Sequence, residues 1–244
     1  MLKLLKYDLR RRRERILVFI AIAVLIQPAL WISNSRMDKN LLTLNLTVYT
    51  VLAMALLLMA VLGYIRNLRS YPRRLLPVTA LQTVLSPLLL ALLLMMVVIA
   101  VVLAQLGLYR LFDPLDFLPD HLFTLGTRIV LQFVWSAGIL MIMMMFAITA
   151  ALSLRSKWRV WIGIAILFVL QNGVSFLEKV MFDIYFVGME RTFNLEFYNQ
   201  EMRPENGITL RYLPDNPWPL LFESALAFLL IYGMVVMVKR RIEL

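Results

Sequence analysis

The sequence predicts an all-α membrane protein with six transmembrane helices and both termini in the cytoplasm. Three observations predict it: the apolar content, the spacing of the apolar runs, and the side on which the cations fall. Of 244 residues, 61% are hydrophobic and 16% charged, and mean hydropathy is +0.80. A water-soluble domain of this length cannot hide so much apolar surface, whereas a bilayer accommodates it. A spanning helix needs about 20 mostly apolar residues at a rise of about 1.5 Å each. Six runs approach that length, at 16–32, 46–65, 84–106, 129–154, 160–177 and 220–238.

The lysines and arginines orient these runs. With the N-terminus inside, the inner tail carries Lys3, Lys6, Arg10, Arg11, Arg12, Arg13 and Arg15. The inner loops carry Arg66, Arg69, Arg73, Arg74, Arg155, Lys157 and Arg159, and the C-terminal tail adds Lys239, Arg240 and Arg241. Most of the 25 basic residues therefore lie on one side, where the acidic residues are only Asp8, Glu14 and Glu243. This is the positive-inside asymmetry. The net charge of +10 is thus explained by topology and anionic lipid headgroups, not by nucleic acid. No soluble stretch carries an aromatic-interleaved basic groove.

Taken in order, residues 1–15 form an amphipathic pattern. Leu2, Leu5 and Leu9 recur at helical spacing while Lys3, Lys6, Arg10 and Arg13 follow a neighbouring face. Such a helix lies in the interface plane, leucines toward acyl chains and cations toward phosphates. The first run is a retained helix, because Trp31-Ile32-Ser33-Asn34-Ser35 offers no small-x-small cleavage site. Between the second and third runs lies a basic, proline-punctuated connection, Tyr71-Pro72-Arg73-Arg74-Leu75-Leu76-Pro77-Val78-Thr79. Merely turning the chain requires nothing so compact, apolar and basic; being gripped by a soluble partner does. The fourth run is long enough to tilt or protrude. The fifth carries Gln171-Asn172-Gly173 near its outer end. Residues 178–216 are too many for a simple turn and predict an extracellular helical and loop region between the fifth and fifth-following spans, that is, between helices five and six. The whole chain, 1–244, reads as a single membrane domain.

Several chemistries are missing. There is no cysteine and His121 is the single histidine, so thiolate nucleophiles and multi-histidine metal sites are excluded. No carboxylate pair at mid-membrane is evident, and no phosphate-cradling G-x-x-x-x-G-K-[ST] loop occurs. The chain is therefore expected not to be an enzyme and to bind no cofactor itself. Arg128 and Glu223 sit at the outer edges of the fourth and sixth runs, where both can snorkel. Gln27, Gln105, Gln132, Gln171 and Asn172 are polar but uncharged, and suit bonds between helices or the lining of a polar cavity.

This layout resembles the ABC-2-type permeases, the membrane subunits of bacterial ABC exporters whose ATPase is a separate chain. The opening Met1-Leu2-Lys3-Leu4-Leu5-Lys6-Tyr7-Asp8-Leu9-Arg10 is similar to the start of bacterial members, and Leu76-Pro77-Val78-Thr79 resembles the family's Leu-Pro-Val-Ser/Thr element after span two. The chain departs from the pattern in carrying Arg73-Arg74 where relatives have an acidic residue, and Ser86-Pro87 where they have a Gly-Lys pair. The resemblance implies a plasma-membrane, multi-pass permease of bacterial type that works as a homo- or heterodimer. ATP and magnesium would be held by a partner ATPase at the cytoplasmic face. It implies a coupling loop at 69–81, with Leu75, Leu76, Pro77 and Val78 as an apolar plug and Tyr71, Arg73, Arg74 and Thr79 as polar contacts. Gln171 and Asn172 would lie near the dimer interface or the transport path. Apolar, charge-poor spans suit a small amphipathic or hydrophobic cargo such as a peptide or antimicrobial. The alternatives are an ATPase-independent secondary transporter or channel, and a non-transporting assembly or sensor protein.

Overall fold

The computed structural model describes residues 2–33, 39–69, 79–112, 122–154, 157–182, 195–198, 209–212 and 218–242. They form α1 (Leu2–Ser33), α2 (Lys39–Arg69), α3 (Ala80–Phe112), α4 (Leu122–Ser153), α5 (Arg159–Phe182) and α6 (Trp218–Met237), which ends in a π-helical turn, Val238–Ile242. Five of these are long and apolar enough to cross a membrane, over Leu44–Leu68, Ala80–Leu108, Val130–Ser153, Arg159–Met181 and Trp218–Arg240.

The remaining helix, α1, differs from expectation in form. No break separates an interface helix from a first span; residues 2–33 are one helix. Arg12, Arg13, Glu14 and Arg15 are built into its first half, which leaves residues 16–32 as its apolar part. Residues 2–27 contain neither glycine nor proline, so nothing in the local sequence ends a helix at residue 15. Pro28 sits inside α1 and Pro87 inside α3, each removing one backbone donor from its helix.

The region between α5 and α6 also differs. Its first residues, 178–182, continue α5. Two short strands, β1 (Leu195–Tyr198) and β2 (Thr209–Tyr212), pair antiparallel with Leu195 opposite Tyr212 and Tyr198 opposite Thr209. Phe197, Tyr198, Thr209 and Tyr212 are residue types that favour the extended chain.

The chain divides into two compact units, one of Met1–Asn67 with Leu85–Asp120 and one of Leu68–Val84 with His121–Leu244. In the first, α2 buries Tyr49, Leu52, Ala53, Leu56, Ala60 and Tyr64 at helical spacing, while Leu58 and Leu62 stay exposed. Ile16, Ala23 and Gln27 form the corresponding buried stripe of α1. In the second unit α4 packs against both α5 and α6. Small residues let these helices approach: a Cβ on Gly233 of α6 would stand 3.1 Å from Phe146 Cε2, and one on Gly163 of α5 would stand 3.3 Å from the Ala151 side chain. Two hydroxyls in the spans are satisfied within their own helices: Thr149 donates to the Met145 carbonyl at 2.7 Å and Ser224 to that of Leu220 at 2.6 Å.

Candidate functional site

The sequence-derived candidates fall in three places. Of the coupling-loop residues, Tyr71, Arg73, Arg74, Leu75, Leu76, Pro77 and Val78 lie outside the described residues, as does His121. Thr79 is described and caps α3. Its backbone N–H donates to Gln82 Oε1 at 3.4 Å, and the Gln82 N–H donates to Thr79 Oγ1 at 3.3 Å. This reciprocal capping box satisfies two donors that a helix start would otherwise leave open. It fixes where the rigid third helix begins, one residue after the Leu-Pro-Val element.

On α1, residues Leu2, Lys3, Leu5 and Lys6 are helical, their side chains lying outside the described set. Leu9 is half-buried, whereas Arg10 and Arg13 are exposed. Arg12 is different. It stands one turn before Ile16 on the buried stripe, and its guanidinium donates to the Met59 carbonyl of α2. That group occupies the space over Gly63, where any Cβ would overlap it. A larger residue at position 63 would have to displace the end of the Arg12 side chain. Gln171 and Asn172, by contrast, lie on the exposed side of α5, and Asn172 Nδ2 donates to the Phe168 carbonyl of its own helix at 2.8 Å. Trp161, Phe168, Val169, Phe176 and Val180 share that exposed apolar surface.

Two polar clusters emerge within the units. In the first unit, Gln105 of α3 joins the other two helices: its Nε2 donates to Gln27 Oε1 of α1 at 2.7 Å, and its Oε1 accepts the Tyr49 hydroxyl of α2. Asn45, one turn before Tyr49, is buried as well. Gln27 Nε2 is buried and meets no acceptor among the described residues. A buried donor without a partner costs about 1–3 kcal/mol. The cluster is therefore an interhelical tie with one N–H still offered to an acceptor. Sequence alone marked Gln27 and Gln105 as polar span residues but gave no register pairing them, and it passed over Tyr49.

In the second unit, Glu223 of α6 does not snorkel. It is 7% exposed and accepts the Trp135 indole N–H from α4. Glu178 near the end of α5 is buried as well, at 9% exposed. The sequence reading ended the fifth span at 177 and so placed Glu178 in the outer region. The helical signal was present: Val174 is buried on α5, and Glu178 follows it at i+4 on the same face. Likewise Glu223 shares a buried face with Pro219 and Leu230.

Among the described residues no group of three or more His, Cys, Asp or Glu side chains could hold a metal ion. Comparison with protein-family models, curated proteins and solved structures found no match. What the fold defines is a multi-pass membrane protein with two polar interhelical ties.

Proposed function

We propose that the chain is the membrane-spanning permease subunit of an ATP-driven exporter of the ABC-2 type, moving a small amphipathic or hydrophobic cargo out of a bacterial cell. In this reading α1 is a sixth span whose basic first half lies at the cytoplasmic surface, and both termini are inside. The chain works as a dimer of membrane subunits, with two separate ATPase chains carrying ATP and magnesium.

The observation that supports this reading most is the way two long apolar helices feed the 70–79 segment. α2 runs to Arg69 and α3 starts at Ala80 behind a capping box, each containing a span-length stretch. A force applied to the short basic segment would act on the ends of both spans. Closure of the ATPases would push on this element and rock the helices toward an outward-open state. Leu76→Asp or Pro77→Gly should then abolish transport and leave membrane insertion intact.

The test is purification from native membranes in mild detergent with identification of co-purifying chains. A stoichiometric chain bearing a phosphate-cradling Walker loop, lost on mutation of Leu76 or Pro77, is the expected result. Recovery of the chain alone across several detergents would overturn the reading. Two buried carboxyl residues within spans, Glu178 and Glu223, favour a second reading, an ATPase-independent transporter driven by an ion gradient. The two separate on whether transport survives ATP depletion with the gradient maintained.

A further inference from the structure

We propose that Ser86 and Pro87 form a hydroxyl-controlled hinge in α3, which separates the beginning of that helix from the rest of the span. The hinge rests on α3 alone and holds whichever partner or gradient moves the molecule. Pro87 lies inside the helix, about two turns after its start at Ala80. A proline has no N–H, so the Thr83 carbonyl, one turn earlier, receives no helix bond from position 87. Sharp bends in helices arise at such places. The packing changes there too: Leu68–Val84 belong to the second compact unit and Leu85–Asp120 to the first. Thus α3 passes from one unit to the other within one turn of its proline.

Ser86 supplies the second observation. Its side chain is 2% exposed, and its hydroxyl meets no hydrogen-bond partner among the described residues. Buried hydroxyls rarely stay unbonded. In a helix, a serine hydroxyl can reach back to the carbonyl three or four residues earlier. Elsewhere in this chain that bond is made: Ser153 donates to the Ala150 carbonyl at 2.7 Å and Ser224 to that of Leu220 at 2.6 Å. At Ser86 it is not made, although the carbonyl three residues back is the one that Pro87 leaves without its regular donor. An unspent donor and an acceptor robbed of its helix bond therefore stand one turn apart on one helix. Rotation of Ser86 about its Cα–Cβ bond would join them, and such back-bonding bends a helix. The structure holds the form in which they are apart.

Each side of the hinge is well tied. Before it, the Thr83 N–H and the Thr83 hydroxyl both donate to the Thr79 carbonyl, at 3.1 Å and 3.3 Å, on top of the capping box between Thr79 and Gln82. Residues 79–83 are thus one bonded turn, and it follows directly on the 70–78 segment. Beyond the hinge, Leu88, Ala91, Met95 and Val98 continue as a buried stripe at helical spacing. Two stiff pieces joined where a backbone bond is missing bend at the joint rather than along their length. The turn that leads out of 70–78 can therefore change direction while the packed span keeps its stripe. The Ser86 hydroxyl selects between the two bends by taking or leaving the Thr83 carbonyl.

The absence of cysteine allows a direct test on the full chain in lipid nanodiscs. Leu81 and Met96 are 48% and 59% exposed, one on each side of the hinge, so cysteines there can carry spin labels without disturbing packing. The helix between them spans about 22 Å, a length that pulsed electron spin resonance reads well. The expected result is two separations in the otherwise unaltered chain. Pro87→Ala should give one, because the alanine N–H returns the helix bond to the Thr83 carbonyl. Alanine is the best helix former, so this variant does not endanger folding. Ser86→Ala should also give one, because only the unbonded form is left. Thr83→Val removes a side-chain hydroxyl but not the carbonyl, and should keep both. A single separation that Pro87→Ala leaves unchanged overturns the hinge. Two separations that persist in Pro87→Ala or in Ser86→Ala overturn it equally.

Discussion

The Arg12 side chain of α1 lies over Gly63 of α2. The Arg12 guanidinium lies where any larger residue at 63 would place its side chain, and it donates to the Met59 carbonyl. Gly63→Ala should displace the end of the Arg12 side chain and weaken its charge-assisted bond to the Met59 carbonyl, a loss of at most about 1.5–3 kcal/mol. The expected readout is a lower unfolding midpoint in detergent for G63A. Introducing the same change into Arg12→Met should cost much less, the non-additivity expected of residues in contact. Gln105 gives a second residue-scale prediction. Its amide serves Tyr49 and Gln27 together, so Gln105→Leu should destabilise more than Tyr49→Phe, which removes one bond. Each lost interhelical bond is worth about 0.6 kcal/mol, with a maximum near 1.7. Equal midpoints for the two variants would contradict a three-helix tie.

At the scale of elements, boundaries separate what the sequence discloses from what it hides. Apolar length located α2 through α6, because a bilayer rewards a count of apolar residues, and a count needs no knowledge of partners. It could not see that α1 runs through its basic stretch, since lysine and arginine are good helix formers and charge alone ends no helix. Nor could it see that α5 continues through Glu178 and Lys179 to Phe182: hydropathy falls there while the helix does not. That shift of one turn concealed the burial of Glu178. Glu223 read as a snorkelling residue for a related reason, because only its register against Trp135 makes it buried. The polar ties depend on pairing between helices far apart in sequence, which a single chain does not display. The start of α3 was more legible, as Thr79 three residues before Gln82 is a recognisable capping pattern. Thr79→Ala should cost about 1 kcal/mol of helix stability. Hydrogen exchange should show it as faster exchange at residues 80–83, with α4 to α6 unchanged.

For the whole molecule, five helices meet the length and composition needed to cross a membrane, and α1 would bring the spans to six. If α1 is the sixth span, most of the lysines and arginines, those of the 70–79 stretch included, would fall on one face with the N-terminal cations. On this account the molecule is a pair of helix-bundle units whose motion is driven from the cytoplasmic side through one short segment. The most direct measurement uses the cysteine-free background. A single cysteine at position 76, carrying a short photoactivatable cross-linker in native membranes, reports what touches the segment. The account predicts a covalent adduct with a soluble ATPase chain, abolished by Pro77→Gly. Adducts only with lipid or with a second copy of this chain would contradict it.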